Sequence, residues 1–171
     1  MSHSEDALDE AMELLHHAFR RVIEEPDDIL AAHGFGRLHH RILYVIGKNP
    51  GLATGELIGL LGVTKQAVHG PLQRLVEEEL VRVERPADDR RRKQLRLTDG
   101  GDAFERRLSR CEHRVFAEAF ALVEDADVAG WHRVMESLGA GRRLRLPREA
   151  PPSRKQCVGI APVDPRKEQA S

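Results

Sequence analysis

A mainly α-helical fold carrying one small β-hairpin is what this sequence predicts, and three observations predict it. Apolar residues recur at helical spacing through most of the chain up to residue 141. The period changes to two only around residues 81–97, on either side of a charged turn. Gly, Pro and Asn clusters cut the helical pattern into six stretches. Of the 171 residues, 40% are hydrophobic and 32% charged, which is enough apolar material for a core and enough charge for solubility. Aromatics are only 4%, so the core must rest on Leu, Val, Ile and Ala.

Leu8, Ala11, Leu15, Phe19 and Val22 lie on one helical stripe, widened by Leu14 and Ala18. They predict a first amphipathic helix that ends before Pro26. So wide a stripe needs a cover, and a partner subunit is one candidate. Leu38, Ile42, Val45 and Ile46 mark a second helix, stopped by Lys48-Asn49-Pro50-Gly51. Thr54 is the expected N-cap of a third, with Leu57, Leu60 and Leu61 buried and Gly62 closing it.

Thr64 caps a fourth helix, in which Val68, Leu72, Leu75 and Val76 point inward. Gly70-Pro71 falls inside it. A proline beyond the first turn removes a backbone hydrogen bond and costs about 3 kcal/mol, so a kink or a displaced outer face is expected. Val81-Arg82-Val83 and Gln94-Leu95-Arg96-Leu97 then alternate around a long charged tip, the pattern of a hairpin. Thr98 caps a fifth helix running through Phe104, Leu108, Cys111, Val115, Ala119 and Leu122. A sixth begins near Asp125 or Asp127 and carries Val128, Trp131, Met135 and Leu138. After Gly139-Ala140-Gly141, residues 142–171 are rich in Pro, Arg and Lys with little periodicity and are expected to form a flexible basic tail.

The formal net charge of -1 is unevenly spread. Residues 1–28 hold nine acidic and two basic side chains, residues 82–96 three acidic and seven basic, and residues 142–171 three and eight. Two basic patches behind an acidic start suggest a polyanionic partner. The unit that carries function is helix, short turn, helix and hairpin over residues 54–98, a winged helix-turn-helix. Such a unit lays its second helix in the DNA major groove. The outward face of that helix is Gln66, His69 and Gln73, with Lys65 at its positive end. Gln can pair bidentately with adenine and Lys can reach guanine or phosphate. Thr64 and the free N–H groups of the first turn suit a phosphate. At the hairpin tip Asp88 and Asp89 precede Arg90, Arg91, Arg92 and Lys93. Four consecutive cations repel one another unless a polyanion neutralises them, and a narrow minor groove favours Arg.

Residues 54–101 resemble the MarR family of winged-helix regulators. The resemblance is carried by Leu61-Gly62-Val63-Thr64-Lys65-Gln66-Ala67-Val68, by Leu75-Val76-Glu77-Glu78-Glu79-Leu80-Val81, and by Asp89-Arg90-Arg91 followed by Leu95-Arg96-Leu97-Thr98-Asp99-Gly100-Gly101. At the level of helix number and order it extends over about residues 5–141. It implies a homodimer held by the first, fifth and sixth helices, with recognition helices in successive major grooves of a pseudo-palindromic double-stranded operator. It implies wings in the minor groove, with Arg91 braced by Asp89, a carboxylate that pre-orders the guanidinium fork. Ala87-Asp88 departs from the family's usual Pro and basic residue, and an acidic Asp88 should weaken the wing slightly. The resemblance also implies a small effector, such as an aromatic carboxylate, that releases DNA. His16, Arg20, His39 and Arg41 are the candidate pocket residues.

The expected organisation is a dimerisation helix at 1–28, a winged helix-turn-helix at 29–101, further dimerisation helices at 102–141 and the tail at 142–171. The expected function is a sequence-specific transcriptional regulator, a repressor released by its effector. The alternative is a winged-helix protein-interaction module without DNA binding, since fold does not fix function. No nucleophile–base pattern or phosphate loop predicts an enzyme, so no catalytic residue and no cofactor is expected. Nine His residues invite a metal site, but the pairs His16-His17 and His39-His40 point apart on a helix and no HExxH occurs. Cys111 lies on an apolar stripe, where a free thiol behaves as a small hydrophobe, and Cys157 falls in the tail. No apolar run approaches membrane-spanning length and the start lacks the pattern of a signal peptide, so a cytoplasmic location with no membrane partner is expected.

Overall fold

The computed structural model describes residues 4–85 and 93–139. Among these residues, six helices and a three-stranded antiparallel sheet follow one another. They are α1 (Glu5–Ala32), α2 (Arg37–Lys48), β1 (Leu52–Ala53), α3 (Thr54–Leu61), α4 (Lys65–Glu77), β2 (Val81–Glu84), β3 (Gln94–Leu97), α5 (Asp99–Phe120) and α6 (Asp125–Leu138). The fold is mainly α with a small β wing, as the periodicity predicts.

The core is built on α2. Ile42, Leu43, Val45 and Ile46 are fully buried and meet Leu57 of α3, Val68 and Leu75 of α4, Leu95 of β3 and Leu108 of α5. Each fully buried aliphatic side chain of this size contributes about 1.5–3 kcal/mol. This one cluster therefore fixes the angle between α3 and α4 and ties the wing to both.

Two local expectations need correction. The first helix does not stop before Pro26 but runs on to Ala32. Proline cannot donate to the turn before it, yet the Pro26 ring is fully buried beside Ile23 and Leu30, and this packing offsets the lost bond. The true stop lies at Gly34, in the left-handed region at φ 69°, where the Phe35 N–H returns to the Leu30 carbonyl at 2.9 Å. α4 runs from Lys65 to Glu77 across Gly70-Pro71, as the sequence places it. The residue before a proline is crowded in a helix. Gly70 has no Cβ to meet the proline ring, which lessens that crowding. Secondly, Thr54 is the first residue of α3 and not its cap. The Ala53 N–H is held by the Glu56 carboxylate at 2.6 Å.

The caps at Thr64 and Thr98 are as expected. Thr64 Oγ1 accepts the Ala67 N–H at 3.2 Å and Thr98 Oγ1 the Gly101 N–H at 3.0 Å. Gly62 closes α3 at φ 66°. The strand order is β1-β3-β2, and β2 pairs with β3 in the register Val81↔Leu97, Arg82↔Arg96, Val83↔Leu95 and Glu84↔Gln94. The short β1 was not expected; it pairs Leu52 and Ala53 with Leu95 and Gln94. A very close approach joins the wing to α5: a Cβ at Gly101 would lie 1.9 Å from the Leu80 carbonyl oxygen.

The N-terminal part of α1 and all of α6 bury nothing fully. Leu8, Met12, Leu14, Leu15 and Phe19 are exposed on α1, as are Leu122, Val134 and Leu138 at the other end of the chain. Trp131 of α6 packs edge-on against Phe116 and Phe120 of α5, with ring centroids 5.6 Å apart in each pair.

Candidate nucleic-acid interface

The short turn Gly62-Val63-Thr64 sets α4 on the body of the protein with Val68 and Leu75 inward. The opposite face is exposed. Lys65, Gln66, His69 and Gln73 are all exposed, and the unbroken helix keeps Gln66, His69 and Gln73 in the spacing i, i+3, i+7. Thr64 spends its hydroxyl on the Ala67 N–H, which stiffens the first turn. The helix dipole adds to Lys65 at this end. The far end is different: Gln73 Nε2 donates to Glu77 at 2.9 Å, and Arg74 pairs with Glu78 at 2.7 Å. The side chains of this face without such an intrahelical partner among the described residues therefore lie in the first two turns of α4.

Of the expected wing residues, Lys93 is exposed immediately before β3. Asp89, Arg90, Arg91 and Arg92 lie outside the described residues. The sheet behind them holds a group that the sequence reading missed. Glu84 accepts from Arg82 Nε at 2.8 Å and from Arg96 Nε at 2.8 Å, one oxygen to each. Alternation at positions 82, 84, 94 and 96 was the available signal, but only the strand register brings the three together.

The four candidate effector residues lie on two helices. His16 and Arg20 are exposed on α1. On α2, His39 is half-buried. Its Nδ1 accepts the Gly36 N–H at 3.0 Å and its ring stacks on Phe35, centroids 4.9 Å apart. Burial lowers the His39 pKa, with the help of Arg74. Arg41 lies over the Tyr44 ring at 5.6 Å. A cavity of about 200 Å³ opens between α1 and α5, lined by Arg21, Glu25, Asp28, Cys111 and Arg114 among others. An open cleft of about 630 Å³ lies at Asn49–Leu52 and Glu56. None of the four candidates lines either space.

His40, the neighbour of His39, faces the interior, where its Nδ1 is 3.6 Å from Glu112 of α5 and its Nε2 has no hydrogen-bond partner. Burial pulls its pKa down to about 4, with Arg41 acting in the same direction and Asp27 against. Burial likewise raises the Glu112 carboxyl, so both partners of this contact are held towards neutrality. Cys111 is buried and its thiol is pushed up, first by burial and then by Glu25. A suppressed thiolate is a poor nucleophile. Among the described residues, no group of three or more His, Cys, Asp or Glu side chains is placed to hold a metal ion, and no helix is long and apolar enough to cross a membrane.

Comparison with known proteins gives this geometry its context. Residues 33–92 match the MarR family. Over 135 residues the chain is 34% identical to the HTH-type transcriptional regulator PetP of Rhodobacter capsulatus, covering 79% of this chain and 81% of that one. Among solved structures, FabT of Streptococcus pneumoniae in complex with DNA superposes with a TM-score of 0.68 at 21% identity, covering 77% of this chain and 94% of FabT. PcaV of Streptomyces coelicolor in complex with its natural ligand gives 0.60 at 19% identity, covering 84% and 100%. The solved structures, at these identities, show the shared winged-helix fold. The identity to a transcriptional regulator over most of both chains goes further, and it makes this chain a member of the MarR family of DNA-binding transcriptional regulators.

Proposed function

We propose that the chain acts as a homodimeric repressor that reads a pseudo-palindromic operator and is released by a small effector. The observation that carries this reading is the unpartnered face Lys65, Gln66 and His69 at the positive end of a helix held rigidly by the core. Lys65 and Gln66 supply base and phosphate contacts in the major groove, His69 and Gln73 extend them, and Thr64 with the first-turn N–H groups steadies the backbone. Asp89, Arg90, Arg91, Arg92 and Lys93 place the wing in the minor groove, where Arg is drawn to the enhanced negative potential. The exposed apolar side chains of α1 and α6 support pairing of two copies, because so many bare Leu, Phe and Val side chains on one protomer mark an interaction surface. The dimerisation regions are then residues 1–28 and 102–141, flanking the winged unit at 29–101.

For release, the proposed effector is an anion of the aromatic carboxylate type. Arg20 and Arg41 supply cations for it, and His16 and His39 supply hydrogen bonds. The PcaV structure, solved with its natural ligand, supports a ligand-responsive relative.

The test is selection of bound duplexes from a random library, followed by titration against salt and sedimentation of the complex. The expected result is an enriched pseudo-palindrome with half-sites about one helical turn, ~34–36 Å, apart, a steep salt slope and two chains per site. Absence of enrichment together with absence of salt dependence overturns the reading.

A further inference from the structure

Arg82 and Arg96 stand directly opposite each other on β2 and β3. Like charges in that relation destabilise a strand pair. The core does not require them, since Val81 and Leu95 fill the buried side of the same strands. Glu84 relieves the repulsion by taking one N–H from each guanidinium, both at 2.8 Å. Both bonds are made by an Nε, and the two side chains remain 56% and 37% exposed. The far end of Arg96 extends over the Gly51 turn, where a Cβ would come within 3.2 Å of its Nη2. The two guanidinium groups are thus fixed side by side, and their bridge leaves one net positive charge. With Arg85 and Lys93, both exposed, the described hairpin residues carry four cations against Glu84 alone.

We propose that Arg82 and Arg96, pre-oriented by Glu84, form a phosphate seat at the root of the wing that takes the phosphodiester backbone of the bound duplex. The proposal rests on the DNA-binding reading above. A planar guanidinium suits a phosphate oxygen pair better than an ammonium does. Three residue steps along β3 separate Lys93 from Arg96, about 10 Å. That is about one Debye length at 0.1 M salt, so a strand engaged by the tip lies within reach of the seat's field. The seat gives the wing two grips: cations at the tip that enter the groove, and a braced pair at the root that holds the strand beside it.

The experiment is a salt titration of DNA affinity for the full chain and for Arg82→Gln, Arg96→Gln, Glu84→Gln and Arg91→Ala, on the selected operator and on random duplex, with thermal melting of each protein alongside. Each Arg→Gln change is expected to lower the slope of log K against log salt by about 0.9, which is about eightfold in affinity at 0.1 M salt. The loss should be equal on operator and random duplex, with the melting temperature held. Glu84→Gln should keep the slope, because both cations remain, while weakening binding by a smaller factor through lost orientation. An unchanged slope in both Arg variants, beside a weakened Arg91→Ala, overturns the seat and leaves the regulator reading standing. A slope that falls only where the melting temperature also falls assigns the trio to wing stability and overturns the seat as well. Failure of the parent protein to bind any duplex removes both readings together.

Discussion

Gly101 and its neighbour Gly100 should respond in opposite ways to the same substitution. At Gly101 an added Cβ would lie 1.9 Å from the Leu80 carbonyl oxygen and 2.8 Å from its carbon. Ordinary contact begins at 3.4 Å, so the shortfall is about 1.5 Å (3.4 minus 1.9). Both sides of the clash are backbone, and no rotamer change can relieve it. The Leu80 carbonyl is also fixed by the Thr98 N–H at 3.1 Å, and Thr98 Oγ1 donates to the Glu79 carbonyl at 2.6 Å. Separating α5 from this turn would break that anchorage. Overpacking costs ~1–3 kcal/mol, occasionally more, and this case belongs at or above the top of that range. Gly101→Ala should therefore lose about 3 kcal/mol or more, or ~6–12 °C in melting temperature for a chain of this size. At Gly100 the nearest atom to an added Cβ is Thr98 Oγ1 at 3.7 Å, ordinary contact. Gly100→Ala should gain up to ~1 kcal/mol from reduced backbone entropy and better helix propensity. Urea and thermal melts of both variants decide it. Equal effects, or a stable Gly101→Ala, would refute the close approach of Leu80 to α5.

Further perturbations probe the interior, the reading face and the pairing surface. His40, with a pKa near 4 in the folded chain against 6.5 when unfolded, stays neutral where the unfolded chain takes up a proton. Its contribution is present above about pH 6.5 and falls away towards pH 4, by up to ~3 kcal/mol, offset in part at the low end by the raised Glu112 carboxyl. Urea denaturation across that range should slope for the parent and flatten for His40→Leu; parallel curves would show that His40 does not control it. Gln66→Ala should relax preference at one base position by ~1–3 kcal/mol in competition binding, and a loss equal on every sequence would reassign Gln66 to the backbone. Leu15→Lys alters a side chain that is 47% exposed in the protomer, so helical content should hold while sedimentation shifts to monomer. A persisting dimer would place the pairing surface elsewhere.

Most elements were legible because their signals are local. Thr64, Thr98 and Gly62 mark helix ends by chemistry that acts over three or four residues, and all three stand where the sequence puts them. Pro26 misled because its effect depends on burial among Ile23 and Leu30, which no local rule contains. A two-residue strand such as β1 has no period to detect. The exposed α4 face of Gln66, His69 and Gln73 was legible as a spacing. The Arg82, Glu84 and Arg96 trio was not, because the long tip leaves the strand register undetermined. His40 was one histidine among nine, and only the packing of α2 against α5 separates it from the exposed ones.

The length of α1 has a mechanical side. At 1.5 Å per residue its 28 residues reach about 42 Å, and the stretch from Glu5 to Arg21, exposed throughout, accounts for about 26 Å of that. The packed root around Ile23, Pro26 and Leu30 is a fulcrum and the exposed stretch a lever arm. Turning the root by about 10° swings the tip by about 4–5 Å, which in the proposed dimer is a large error for two recognition helices that must match grooves ~34–36 Å apart. In the proposed dimer an effector near Arg20 and His39 sits next to the fulcrum, where the smallest displacement is geared up the most.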